Sequence, residues 1–309
     1  MPGLTAAIIA PLMIERLANP YLILTLTALF WSSNMVVGRA FSTEVPPFAF
    51  AFARWTVAAL FVLPLARPYL KEQWPQLRRG WPALLVLGLL GIGGYNTLAY
   101  LGLQYTTATN AALLNSFIPI ATIALSWAFF GKRLNLLESL GVLISFAGVM
   151  TIVGRGSLSV LAGLHLNIGD MWLLLAVLDW ALYTIALGWR PAGVHPMLML
   201  AAMILIGLAA LAPAALWEME RGRHAVLTPG SMAAIAYVGI FPGFLSYVFY
   251  NRGVAAIGAS KASLFIHLMP VFGTLLAALF LAETPRSYHF LGIALIFAGI
   301  GLTMTQRNR

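Results

Sequence analysis

The sequence predicts an all-α integral membrane protein whose ten transmembrane helices form two inverted five-helix repeats. Three observations carry this. Of 309 residues, 61% are hydrophobic and only 9% are charged, with mean hydropathy +0.89. A soluble domain carries about 25% charged residues, so most of this surface must face lipid. A long apolar stretch occurs twice, and apolar runs long enough to cross a bilayer occur ten times.

The repeated stretch reads ATNAALLNSFIPIATIALSWAFFGKRLNLLESLGVLISFAG at residues 108–148 and ASKASLFIHLMPVFGTLLAALFLAETPRSYHFLGIALIFAG at 259–299. The copies align without a gap. Pro119 falls on Pro270, Gly141 on Gly292, and Phe146-Ala147-Gly148 on Phe297-Ala298-Gly299. A repeat of this length sets the architecture before any local reading does.

A membrane helix needs about 20 mostly apolar residues. The spans predicted in order are 20–41, 47–66, 82–103, 109–130, 136–154, 170–189, 196–217, 232–251, 261–282 and 287–305. They are apolar all round, as lipid-embedded helices are. Breaks are marked by Pro46-Pro47, Arg78-Arg79-Gly80, Gly131-Lys132-Arg133, Arg190-Pro191 and Thr284-Pro285. The apolar run Thr5–Ile14 has no basic residue before it, so a juxtamembrane segment is expected there rather than a cleaved signal.

Lys and Arg bias orients the chain. With the N-terminus cytoplasmic, the cytoplasmic side holds Arg16, Arg67, Lys71, Arg78, Arg79, Lys132, Arg133, Arg190, Arg252, Lys261, Arg307 and Arg309. The other side holds Arg39, Arg155, Arg221, Arg223 and Arg286. Both termini are therefore expected in the cytoplasm. These cations are dispersed between apolar runs, so the net charge of +9 does not read as a nucleic-acid footprint.

The duplication reaches further back. Trp31, Pro47 and Pro64 fall on Trp180, Pro196 and Pro213. The expected units are residues 1–156 and 165–309, with spans 1–5 repeated as spans 6–10. Five is odd, so the second unit enters the membrane inverted. Inverted repeats give secondary transporters two near-equivalent bundles that exchange conformations.

Polar groups inside spans are costly and tend to face a cavity or another helix. Asn96 and Tyr100 share one face of span 3, and their matches in span 8 are Tyr247 and Asn251. Phe30 and Asn34 of span 1 match Asp179 and Tyr183 of span 6. Ser263 and His267 of span 9 fall on Ala112 and Ser116 of span 4. Each is read either as cavity lining or as a helix–helix hydrogen bond.

Asp179, mid-span, needs water, a partner or a proton. It is read as a substrate-amine or proton site, with pairing to Arg54 as the alternative. His267 is read as a substrate or proton-coupling group, or as a hydrogen-bonded core histidine. Arg54 could meet a substrate carboxylate with its planar fork or anchor span 2. Lys261 is expected to snorkel from the inner end of span 9. Trp31, Trp180, Tyr95, Tyr100, Tyr183, Tyr247 and Tyr250 are expected to wall a pocket suited to aromatic or large neutral side chains. Matched breaks at Gly91 with Pro242, and at Pro119 with Pro270, are read as hinges of hairpins 3–4 and 8–9.

Rival classes find little support. There are no cysteines, which removes disulfides, thiolate metal sites and cysteine nucleophiles. An aspartyl dyad would need a second mid-membrane aspartate beside Asp179. Ser116 or Ser263 with His267 lacks the nucleophile elbow. No Gly-x4-Gly-Lys-Ser/Thr loop is present, and no acidic ring or carbonyl filter suggests a channel. No cofactor or metal is expected. The expected partners are a small-molecule substrate and the bilayer, and ten spans can close a bundle as a monomer.

The small residues, the mid-span Pro, Gly-Glu or a variant, and the closing Phe-Ala-Gly resemble the EamA repeat of the drug/metabolite transporter superfamily. ALFWSSNMVVGRAF and PPFAFAFARW resemble that family's opening motif. The resemblance spans nearly the whole chain and extends to YddG-type aromatic amino acid exporters. It implies ten helices, a central path and export of small metabolites across a bacterial inner membrane. One position departs. Lys132 stands where the family often has Glu, whereas Glu283 keeps it.

Overall fold

The computed structural model describes residues 19–106, 108–132, 134–163, 167–280 and 286–304. The 5–14 run, Arg16, Arg133, Glu283, Thr284, Pro285, Arg307 and Arg309 lie outside these residues, as does the Ala112 side chain. Among the described residues, ten helices are long and apolar enough to cross a membrane: α1 Pro20–Ala40, α2 Pro47–Arg79, α3 Trp81–Tyr105, α4 Leu113–Phe130, α5 Leu136–Val153, α6 Ile168–Trp189, α7 Pro196–Glu220, α8 Pro229–Ile257, α9 Ala259–Leu276 and α10 Ser287–Met304.

Local chemistry starts several of them. Asn19 caps α1, and Asn135 with Glu138, Asn167 with Asp170 and Thr228 with Ser231 form capping boxes at α5, α6 and α8. Helix α2 follows Pro46 and has no cap of its own. Glu218 from the end of α7 supplies one. Its Oε2 accepts from the N–H groups of Phe48 at 2.9 Å and Ala49 at 3.0 Å, and Arg223 lies 3.6 Å from Oε1.

Helix α2 is longer than the sequence suggested. It continues for 33 residues through Pro64, Pro68 and Pro75, so Arg67, Lys71, Arg78 and Arg79 lie on the helix rather than in a loop. Each proline forfeits a backbone bond, and this last part carries Arg67, Lys71, Glu72, Arg78 and Arg79.

The inversion of the two halves is visible in packing. Helices α5 and α10 occupy matched places in the repeat. A Cβ on Gly141 would stand 2.6 Å from the Gly299 carbonyl, and one on Gly148 would stand 2.6 Å from the Gly292 carbonyl. Residue numbers rise on one helix as they fall on the other, so the pair is antiparallel. Gly141 matches Gly292 and Gly148 matches Gly299, so each contact maps onto the other when the halves are exchanged. Glycine is needed here because the backbones touch, which is how lipid-embedded helices gain close van der Waals contact.

The other packings follow the same exchange. Helix α3 packs on α6 as α8 packs on α1, α4 on α6 as α9 on α1, and α2 on α7. Where Glu218 of α7 caps α2, the matched residue of α2, Tyr69, stacks on His195 at the start of α7, with ring centroids 3.6 Å apart.

Helices α3 and α8 both change pitch midway. Leu89–Gly94 and Gly239–Leu245 are π-helical, at matched places in the repeat. Helix α4 is interrupted: Ala108–Asn115 ends in a turn at 116–117 and the helix resumes at Ile118. Helix α9 carries a 3-10 segment at the equivalent place, Leu264–Leu268. The spans suspected of being interrupted are therefore interrupted. The form differs from a proline kink, however. Pro119 and Pro270 are each the second residue of the helical segment after the break, where a missing N–H costs no helical bond.

Candidate functional site

The pseudo-twofold axis passes between side chains at equivalent positions. Asn96 Nδ2 donates to the Tyr247 hydroxyl at 3.2 Å. His267 Nε2 lies 3.0 Å from the Ser116 carbonyl. Both pairs are separated by 151 residues, the period of the repeat. Around this axis the aromatic residues converge. Trp31 meets Trp180 edge-on at 4.9 Å, Trp55 meets Tyr247 at 4.8 Å, and Trp180 lies 4.8–5.5 Å from Tyr95, Tyr183, Tyr250 and Tyr247.

This cluster is filled. Trp180, Tyr183, Tyr247 and Tyr250 are buried, and their rings pack on one another where the sequence suggested an open aromatic-walled pocket. The reason is the glycine-rich π segment of α3. A Cβ on Gly91 would stand 2.5 Å from the Tyr183 ring, so the glycine admits that ring. Tyr247 closes the centre, donating its hydroxyl proton to the Gly91 carbonyl. Opposite, Trp31 Nε1 donates to the Pro242 carbonyl at 3.2 Å. The two carbonyls belong to matched residues in the two π segments, which free such groups from the helical ladder.

Two tyrosine–asparagine bonds bracket the cluster. On one side the Tyr100 hydroxyl donates to Asn34 Oδ1 at 2.9 Å. On the other the Tyr183 hydroxyl donates to Asn251 Oδ1 at 2.6 Å. Asn34 matches Tyr183 and Tyr100 matches Asn251, so exchanging the halves exchanges the bonds with donor and acceptor swapped. The first pair carries an addition. Arg54, 0% exposed, points Nη1 at Asn34 (3.4 Å), Asn96 (2.5 Å) and Tyr100 (2.8 Å).

Arg54 and Asp179 do not pair with each other. Among the described residues the ion pairs are Arg223–Glu218 and Lys261–Glu138. The physical reason is that each charge already has neutral partners on its own side. Arg54 is held by the two amides and Tyr100. Asp179 receives the main chain at Tyr95, and its Oδ1 sits where a Cβ on Gly94 would be, 2.2 Å away. Asp179 Oδ2 finds no partner among the described residues.

His267 is 0% exposed, with Nδ1 bonded to Ser145 Oγ and Nε2 to the Ser116 carbonyl. It ties the α9 break to α5 and to the turn within α4, and neither nitrogen is left to face a ligand. Lys261 does not snorkel freely; its Nζ lies 3.5 Å from Glu138 Oε1.

The ends of the bundle differ. At the end with loops α1–α2 and α7–α8, Glu44 accepts from the Val226 N–H at 2.8 Å and from Thr228 Oγ1 at 2.9 Å. Arg39 bonds the Leu103 carbonyl at 2.6 Å. At the opposite, basic end, three adjoining cavities of about 340, 400 and 460 Å³ share Arg190. The cavity of about 340 Å³ is walled by Tyr69, Met199 and Val248 and has Asn251 and Arg252 in its lining. The Tyr183–Asn251 bond is thus the partition between this vestibule and the aromatic cluster.

Sequence reasoning missed Trp55, Ser145 and Glu218. Trp55 adjoins Arg54 in the chain, which was the available signal. Ser145 falls opposite Ile296 in the repeat, so symmetry hid it.

A family model described as the EamA-like transporter family matches residues 19–154 and again 167–305. The uncharacterized transporter YyaM of Bacillus subtilis is 30% identical over 73% of both chains. An uncharacterized transporter of Archaeoglobus fulgidus is 26% identical over 94% of this chain and 99% of that one. A crystal structure 21% identical in sequence superposes with TM-score 0.74, covering 93% of this chain and 96% of the other.

Proposed function

This chain belongs to the EamA-like transporter family, and from that premise we propose that it exports aromatic or large neutral amino acids by alternating access. The basic end is then cytoplasmic, in a bacterial inner membrane, by the Lys and Arg bias. The observation that carries the reading is the pair of mirror-related tyrosine–asparagine bonds on either side of the aromatic cluster, Tyr183–Asn251 and Tyr100–Asn34.

In this conformation the vestibule is open to the cytoplasm and both bonds are closed. Substrate enters beside Arg190 and Asn251. Parting of Tyr183 from Asn251 lets Tyr247 leave the centre, and an aromatic side chain replaces its ring contacts. Exchange of the two five-helix units then closes the inner bond and opens the outer one. The matched π segments and the breaks within α4 and α9 are where the helices change shape. Asp179, with one oxygen unpartnered, faces the substrate ammonium. That same oxygen favours a second reading, export of organic cations.

Purified protein in liposomes tests the proposal. Saturable counterflow of labelled phenylalanine, competed by tryptophan and leucine, is expected. Counterflow driven by quaternary amines alone points to the second reading. Non-saturating conductance contradicts both.

A further inference from the structure

The geometry points to the Nε–Nη2 edge of Arg54 as the docking site for a substrate carboxylate. This rests on the reading of the chain as a small-molecule carrier and adds the chemical class of the group recognised.

Arg54 is 0% exposed and has no acidic partner within 4.0 Å among the described residues. All its hydrogen bonds leave from Nη1, toward Asn34, Asn96 and Tyr100. Nε and Nη2 have no partner among the described residues. Those two nitrogens form the side-on edge of the guanidinium, whose two parallel N–H groups match the two oxygens of a carboxylate. The partners on Nη1 thus fix the plane of the group and leave its bidentate face unused.

The surroundings extend the imbalance. Among the described residues, Trp55 Nε1 and Asn115 Nδ2 are also buried donors without partners, the Thr97 and Thr122 hydroxyls can serve either way, and Asp179 and Glu218 contribute the unpartnered carboxylate oxygens. Glu218 Oε1 faces Arg223 at the far end of α7. The core therefore holds more free donors than free acceptors, which suits an acceptor-rich ligand head. Buried polar groups are ordinarily satisfied, whereas the Arg54 charge is met only by neutral groups and by the Trp55 ring, 5.1 Å from its Cζ.

The edge also faces a surface that can yield. Nη2 lies 3.6 Å from where a Cβ on Gly243 would begin. Gly243 is in the π segment of α8, two residues before its end at Leu245, and that segment leads directly into Tyr247. Displacing Tyr247 and straightening this segment uncovers the two donors from the vestibule side. The same motion delivers the substrate's side chain to the ring cluster, so a carboxylate close to an apolar or aromatic group is the expected class.

Acid–amide pairs test this on the wild-type protein. Thermal shifts in detergent give affinities for phenylalanine against phenylalaninamide, 3-phenylpropionate against 3-phenylpropionamide, and leucine against leucinamide. The acid is expected to bind at least about tenfold more tightly than its amide in every pair that binds, the span of a charge-assisted pair. Arg54→Lys is expected to cut this acid-over-amide preference severalfold, because an ammonium lacks the fork. Amides equal to acids overturn the inference, and so does an acid panel that stabilises nothing. Preference for acids confined to leucine overturns the aromatic reading and leaves the carboxylate site standing.

Discussion

Removing one hydroxyl from each tyrosine–asparagine pair should move accessibility in opposite directions. Tyr183→Phe deletes a single neutral bond of 2.6 Å to Asn251. Such bonds between membrane helices contribute about 0.6–1.5 kcal/mol, so the inner barrier should open roughly 3- to 10-fold more often. Tyr100→Phe deletes the bond to Asn34 and also the one accepted from Arg54 at 2.8 Å. A bond to a charged group is worth about 1.5–3 kcal/mol, so the outer effect should be larger, on the order of 10- to 100-fold. The chain has no cysteine of its own, which gives a clean reporter background. Val248→Cys, only 8% exposed, adjoins Tyr247 where the vestibule meets the cluster, and Met35→Cys follows the buried Asn34 on α1 and is itself buried. Labelling with an impermeant maleimide, applied from each side of sealed vesicles, reads the two ends separately. Tyr183→Phe should speed only Val248→Cys labelling, and Tyr100→Phe only Met35→Cys labelling. Faster labelling at one end for both substitutions, or at neither, refutes the idea that the pairs are opposed gates.

Three further outcomes follow from packing. Gly141→Ala places a Cβ 2.2 Å from Thr303 Oγ1 and 2.6 Å from the Gly299 carbonyl, so thermal unfolding in detergent should show a loss of about 1–3 kcal/mol. Gly301→Ala on α10, which meets nothing within 4 Å, should leave stability unchanged or slightly higher. Glu218→Ala strands the Phe48 and Ala49 N–H groups and should cost about 1–2 kcal/mol. Glu218→Gln keeps an acceptor and should recover at least half of it by the same measurement. His267→Ala should lower the unfolding temperature and leave substrate affinity within about twofold, because both ring nitrogens face protein groups; a large affinity loss in a stable variant contradicts that placement.

The span count and the inversion were legible because lipid imposes them. Twenty apolar residues and an odd number of spans per repeat leave little choice. The offset comparison also placed Asn34, Tyr100, Tyr183 and Asn251 at exchanged positions before any contact was known. What it could not reveal was that each Tyr bonds its own Asn, since that depends on helix rotation. The aromatic residues were identified, yet their burial against one another was not legible. Their closure depends on a π turn that Gly91 and Gly94 permit but do not dictate. Arg54 and Asp179 were natural candidates for a pair by charge alone. Their separation follows from helix rotation, which turns Arg54 to Asn34, Asn96 and Tyr100 and Asp179 to Gly94 and which one-dimensional spacing does not encode. Helix α2 outran its apolar stretch because its extension packs on the start of α7, where Tyr69 stacks on His195 and Gln73 Oε1 accepts from the His195 N–H at 2.6 Å.

The central claim is that two homologous units face opposite ways and share one path. Lys132→Cys and Arg286→Cys lie in corresponding loops, after α4 and before α10, and both positions are exposed. Each is labelled in intact cells with an impermeant maleimide, before and after permeabilisation. Arg286→Cys should react from outside at once, and Lys132→Cys only after the membrane is opened. Reaction of both from the same side contradicts the account.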